Sequence, residues 1–221
     1  MVGTLALAIA LVTLGIVAPA VAQTPAATAL PASPPDTIPP FVFDARAAVP
    51  MLKHSQATAA SFGSSADSIP GRGLGLVGGL HIYPIRLRQF AFGLGGEALL
   101  ARASRQSVDA AGKPVGRAIR RRFESLSGQI SFNFGHRDGW SYVSGGLGPL
   151  NFDTYFDGDA PDGLRRPTLN YGAGARWFNT DHLAFSVDMR LYATSPAYPT
   201  LVVGERARQT VMVISAGIGI R

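Results

Sequence analysis

The chain has 221 residues, 47% of them hydrophobic and only 15% charged, with 26 Gly, 16 Pro, no Cys and a formal net charge of +6. Long intrinsic disorder is excluded, because it needs low hydrophobicity and high charge. The lack of Cys excludes disulfides, thiolate metal ligands, a Cys nucleophile and an acylated-Cys anchor.

Residues Val2 to Val17 are apolar or small and uncharged, and Ala20-Val21-Ala22 follows before Gln23. An apolar run ending in A-x-A is the pattern of a secretory signal. Residues 1–22 are therefore expected to be a cleaved signal peptide, although no Lys or Arg precedes the run, so an uncleaved anchor is the alternative. Residues 23–40 hold Pro25, Pro31, Pro34, Pro35, Pro39 and Pro40 among Ala, Thr and Ser. Proline at that density neither pairs in a sheet nor continues a helix, so an extended linker is expected.

From residue 41 to residue 221 the hydrophobic pattern has period two. Leu183, Phe185, Val187, Met189 and Leu191 alternate with Ala184, Ser186, Asp188, Arg190 and Tyr192. A helix would scatter these residues around its circumference, whereas a strand sorts them onto two faces. The same sorting occurs in Leu74 to Tyr83, Phe90 to Leu100, Leu126 to Phe134, Leu169 to Trp177 and Val211 to Ile220. A Gly-rich run from Trp140 to Leu150 and a short run from Phe41 to Ala48 bring the expected total to eight strands, with no convincing helix.

A soluble sheet presents Lys and Glu to water on its polar face. Here that face is small and mixed, punctuated by Asp44, Arg46, His81, Glu97, Arg176, Asp188 and Arg190, while the apolar face is continuous. An apolar outside and a polar lumen mark a transmembrane barrel. A tilted strand needs about 9–11 residues to cross, and most of these runs suffice. The expected connections alternate: long at Pro50 to Pro70, Ser104 to Gly116, Asn151 to Arg166 and Ser195 to Arg208, and short at Pro84 to Arg88, His136 to Gly139 and Asn179 to Asp181. That rhythm belongs to an up-and-down barrel with short periplasmic turns and longer external loops. The expected fold is thus all-β, an eight-stranded antiparallel up-and-down transmembrane β-barrel.

The stretch from Gly172 to Tyr192, a Gly-rich strand, a turn and an alternating Asp188-Met-Arg190 strand, resembles the penultimate hairpin of small bacterial outer-membrane β-barrel proteins. That superfamily includes the transmembrane barrel of outer-membrane protein A. Ser215 to Arg221 is similar to its C-terminal strand, although such barrels often end in an aromatic residue and this sequence ends in Arg221. The resemblance is carried by the last third of the chain, and elsewhere by pattern. It implies a fold and a membrane, and does not extend to an activity.

Several motifs compete with blander readings. Gly73-Leu-Gly75-Leu-Val-Gly78 matches G-x-G-x-x-G but continues as a strand, whereas a dinucleotide fingerprint must open a helix. Asp157-Gly-Asp159-Ala-Pro-Asp162-Gly163 is out of register with a calcium loop and lacks its final Glu, so a turn-rich external loop is expected. Arg102, Arg105, Lys113, Arg117, Arg120, Arg121 and Arg122 crowd the second long connection and its strand ends. No recognition fold or aromatic interleaving accompanies them, so no nucleic acid is expected. Lipopolysaccharide phosphates, which Arg grips bidentately, are the expected counter-charges. Asp44, Arg46, Glu97, Arg176, Asp188 and Arg190 are expected to form an ion-paired luminal plug, because eight strands enclose space just filled by side chains.

The function expected from these features is a non-enzymatic outer-membrane protein with a structural, adhesive or surface-interaction role. It would be monomeric, without catalytic residues, cofactor or metal, and would meet lipid and lipopolysaccharide. One alternative is a lipid A-modifying barrel hydrolase using His54, His136 or His182, which lie near strand ends. The other is a soluble periplasmic β-domain that binds a small apolar ligand.

Overall fold

A computed structural model describes residues 38–53, 56–109, 111–196 and 208–221. The expected signal peptide, most of the expected linker, His54 and most of the last long connection lie outside the described residues. The strands are β1 (Phe41–Met51), β2 (Leu74–Leu87), β3 (Phe90–Val108), β4 (Pro114–His136), β5 (Gly139–Phe156), β6 (Arg165–Phe178), β7 (Leu183–Thr194) and β8 (Thr210–Ile220). Each pairs antiparallel with its sequence neighbour and β1 closes on β8, which makes an eight-stranded up-and-down barrel, as the alternation predicts. No helix among the described residues is long and apolar enough to cross a membrane.

Two expectations need correction. The first long connection is not free of helix: α1 (Gln56–Ser61) and a 3-10 turn (Ala66–Ser68) fold within it. Ala59 and Ile69 are buried against Ile119 of β4, with Phe62 and Phe156 packed alongside, so this short apolar cluster holds the connection on one rim of the barrel.

Secondly, strand takes up most of the second long connection and half of the third. β3 and β4 stay paired out to Val108 and Pro114, and the third connection is confined to residues 157–164 between β5 and β6. Backbone pairing needs no apolar side chain, so a ladder can continue with Arg and Ser outward once it has left hydrocarbon. On the opposite rim the turns are short, Arg88–Gln89 and Arg137–Asp138 and residues 179–182.

Leu76 and Ile130, 68% and 66% exposed, are typical of the outer face, which also carries Phe43, Leu80, Phe92, Leu126, Leu169, Phe185, Met189 and Ile218. An apolar surface of that continuity is foreign to a soluble monomer.

The inner face is layered. Next to the short turns, Ile38, Val42, Tyr83, Ala91, Trp140 and Tyr142 form one apolar cluster. Toward the other rim Val77, Leu99, Phe123, Leu150, Tyr192 and Val213 belong to a second. Between the two lies the charged layer. Inward glycines make room for these large side chains: a Cβ on Gly174 would stand 2.4 Å from the Tyr142 hydroxyl, and one on Gly93 would stand 2.8 Å from the Tyr83 ring.

Candidate functional site

The charged layer gathers all six residues expected in the lumen, each buried. Alternation dictates this placement: Asp44 and Arg46 on β1, Arg176 on β6, and Asp188 and Arg190 on β7 each share the inward parity of their strand, as does Glu97 on β3. Arg46 lies at the centre, with Nε 2.8 Å from Asp44, Nη1 3.4 Å from Asp188 and Nη2 bonded to Glu97. Arg176 donates to Asp44 at 2.6 Å and to the Tyr83 hydroxyl at 3.0 Å, and lies 4.7 Å above the Tyr142 ring. Arg190 donates to Gln129 at 2.7 Å, Asn170 at 2.8 Å and Ser144 at 2.8 Å, and pairs with Asp188 and Glu97.

Three guanidiniums therefore face three carboxylates, and Arg176, Arg190, Asp188 and Glu97 also have neutral hydrogen-bond partners, a setting in which buried ions are tolerated. His81, buried on the same inner face, adds an imidazole to this layer. Sequence reasoning missed the neutral partners Gln129, Ser144 and Asn170. The inward parity of Gln129 and Asn170 was readable, that of Ser144 in its Gly-rich run was ambiguous, and which strands face one another across the lumen was not readable.

The basic residues of the β3–β4 hairpin divide by parity. Arg102 is outward on β3 and lies opposite Arg122 on β4, and Ser104 lies opposite Arg120. Glu124 accepts from both Arg102 and Arg122, bridging the like charges. Arg120 pairs with Asp157 at 3.1 Å, and Arg117 pairs with Asp159. Two of the three aspartates of the calcium-like stretch thus serve arginines, Asp162 accepts from the Leu164 amide, and no group of three or more potential metal ligands occurs among the described residues.

Arg121 departs from its expected role. It points inward, 2% exposed, and donates to the carbonyls of Lys53 and Pro70 at 3.1 and 3.0 Å while lying over the Phe152 ring. It anchors the first connection and is not available to a lipid headgroup. Lys113 and Arg105 are exposed.

Of the histidines raised for a hydrolase, His54 lies outside the described residues, and the turns next to His136 and His182 are joined by Arg137, which donates to Asp181 at 3.0 Å. His136 ends β4 and His182 lies in the β6–β7 turn, both on the short-turn rim. The Gly73–Gly78 stretch leads into β2 with no helix after it, and a Cβ on Gly75 would stand 2.4 Å from the Leu100 carbonyl, so close strand packing explains that glycine.

A closed ring of eight strands with an apolar belt outside and compensated charge inside defines a transmembrane β-barrel, since only helices and closed barrels satisfy their backbone in hydrocarbon. No protein-family model and no curated protein sequence matches the chain. Among solved structures it is similar to Neisserial surface protein A (NspA), with 12% identity and a TM-score of 0.49 over 82% of this chain and 97% of that one. It is also similar to the N-terminal β-barrel domain of Pseudomonas aeruginosa OprF, with 14% identity and a TM-score of 0.40 over 81% and 96%.

Proposed function

We propose that this chain is an exported, monomeric outer-membrane β-barrel with a non-enzymatic structural, adhesive or surface-interaction role, whose arginine-bearing rim contacts lipopolysaccharide. The observation that carries this reading is the asymmetry of the outer surface. Toward the short turns the outward positions are aromatic: Phe43, Phe90, Phe92, Phe134, Trp177 and Phe185. Aromatic girdles mark the edge of a membrane's hydrocarbon. On the other rim Leu74, Leu76, Leu100 and Leu126 give way to outward Arg102, Glu124, Arg122 and Arg120. Arginines at that boundary suit a leaflet whose headgroups carry phosphate. On this reading the short turns lie in the periplasm and the β3–β4 hairpin outside the cell.

The test is cell fractionation followed by electrophoresis of heated and unheated samples. The chain is expected in the outer-membrane fraction, with a mobility that shifts on heating. Recovery from the soluble periplasm, or an unchanged mobility, would end this reading. The soluble alternative has the opposite polarity, because a lipocalin-like binder keeps its apolar face inside, whereas here Arg46, Arg176 and Arg190 occupy the interior.

A further inference from the structure

Most basic side chains of the β3–β4 hairpin already have an acidic partner. Arg102 and Arg122 share Glu124, Arg117 has Asp159 and Arg120 has Asp157. Arg105 has no such partner among the described residues. Beside it, Arg72 precedes β2, held by an isolated bridge to Met51, and has none either. The β2–β3 register brings the two together. Leu74 lies opposite Arg102, so two residues further toward the rim Arg72 comes level with Ser104, next to Arg105. Together with Pro70 and Gly71 these three side chains line a cleft of about 340 Å³.

We propose that this cleft is a phosphate-monoester site, deepening the lipopolysaccharide reading on which it rests by moving the contact away from the hairpin tip. Two guanidiniums and a hydroxyl supply hydrogen-bond donors around one concave space, and a phosphate offers acceptor oxygens in several directions. Arginine forks match that geometry in a way that a single ammonium does not. The neighbouring arginines are less suited: an incoming phosphate must displace Glu124, Asp157 or Asp159, at a cost in lost ion pairing. Among the described residues Arg72 and Arg105 have no carboxylate to exchange.

The experiment uses the full chain folded in phosphate-free nonionic detergent micelles and measures affinity for phosphorylated lipid A, for lipid A stripped of its phosphates, and for inorganic phosphate. The variants are Arg72→Gln/Arg105→Gln, Arg102→Gln/Arg122→Gln, and Ser104→Asp, which places a carboxylate in the cleft while keeping both arginines. The expected result is a loss of about tenfold or more in lipid A affinity for the first and third variants, matched by removal of the phosphates, and a smaller loss for the second. Equal losses for both arginine pairs would overturn the cleft while leaving a diffuse basic rim in place. Inorganic phosphate bound by the native chain and lost in Ser104→Asp, with no lipid A binding, would support the cleft and remove the lipopolysaccharide reading. Binding of neither ligand by the native chain would overturn both.

Discussion

Arg176 donates to Asp44 across the lumen at 2.6 Å, joining β6 to β1, two strands that share no ladder and whose residues are 132 positions apart in the sequence. The pair ties opposite walls of the barrel through its centre. Asp44→Asn leaves the buried Arg176 and Arg46 short of one negative charge, and removing one partner of a buried pair costs about 3–5 kcal/mol. The double variant Asp44→Asn/Arg176→Gln is expected to cost less than the sum of its singles by about 1 kcal/mol or more. Urea unfolding in lipid vesicles measures both quantities, and strict additivity would show that the two side chains are not energetically coupled.

The lumen is closed at three levels, by the Trp140–Tyr142 layer, the ion-paired layer and the Phe123–Tyr192 layer. In a planar bilayer the native barrel is therefore expected to give no stable current. Because apolar layers seal the charged one from both sides, Arg46→Ser/Arg190→Ser is also expected to remain closed. A steady current from the native chain, or from this variant, would show that the layers do not seal.

Inward glycines are spacers for the layer they face. Gly174→Ala would place a methyl group 2.4 Å from the hydroxyl that Tyr142 donates to Asp188, so ring and ion pair must shift together. Overpacking of this kind costs about 1–3 kcal/mol. Gly78 faces outward with nothing within 4 Å of the added atom, and Gly78→Ala is expected to leave stability unchanged. The temperature at which the heat-dependent gel shift occurs separates the two, and similar temperatures would refute the spacer role.

Which side of the wall each residue occupies was legible because a strand permits only two facings. Counting back from Leu126 by twos reaches Glu124, Arg122 and Arg120 outward, and the same count turns Arg121 inward with Phe123. Next to the long connection this run concealed its own alternation, since arginines on both parities mask the period. The extent of the β3–β4 hairpin was illegible for a related reason: beyond the membrane, strand pairing no longer demands apolar residues. Arg72 carried no sequence signal at all, because only the β2–β3 register brings it level with Ser104. The apolar layers inside the lumen were similarly hidden, as Val77, Leu99 and Phe123 come together only by closure of the ring.

The two tryptophans report on opposite faces. Trp177 is outward and 52% exposed, whereas Trp140 is inward and 3% exposed. In vesicles of phospholipid brominated high on the acyl chain, fluorescence quenching is expected to persist in Trp140→Phe and to disappear in Trp177→Phe. The reverse result would mean that the strand parity, and with it the lipid-facing surface, is inverted.

Arg121 decides whether the first connection stays seated on the rim opposite the short turns. Its two bonds to the Lys53 and Pro70 carbonyls grip that connection at both ends, while Phe62 stacks edge-on against Phe156 at 5.0 Å from between them. Charged hydrogen bonds contribute about 1.5–3 kcal/mol each. Arg121→Leu removes both donors and leaves two inward carbonyls without them, so the open state of the connection is expected to become about tenfold or more better populated. Limited chymotrypsin digestion reads this directly as faster cleavage after Phe62, because cleavage of a transiently open segment follows its equilibrium population. The barrel itself is held by its closed ladder and should keep its heat-dependent mobility. If cleavage stays slow while the gel shift is retained, the α1 cluster with Ile119 suffices to seat the connection, and Arg121 serves only the inner wall.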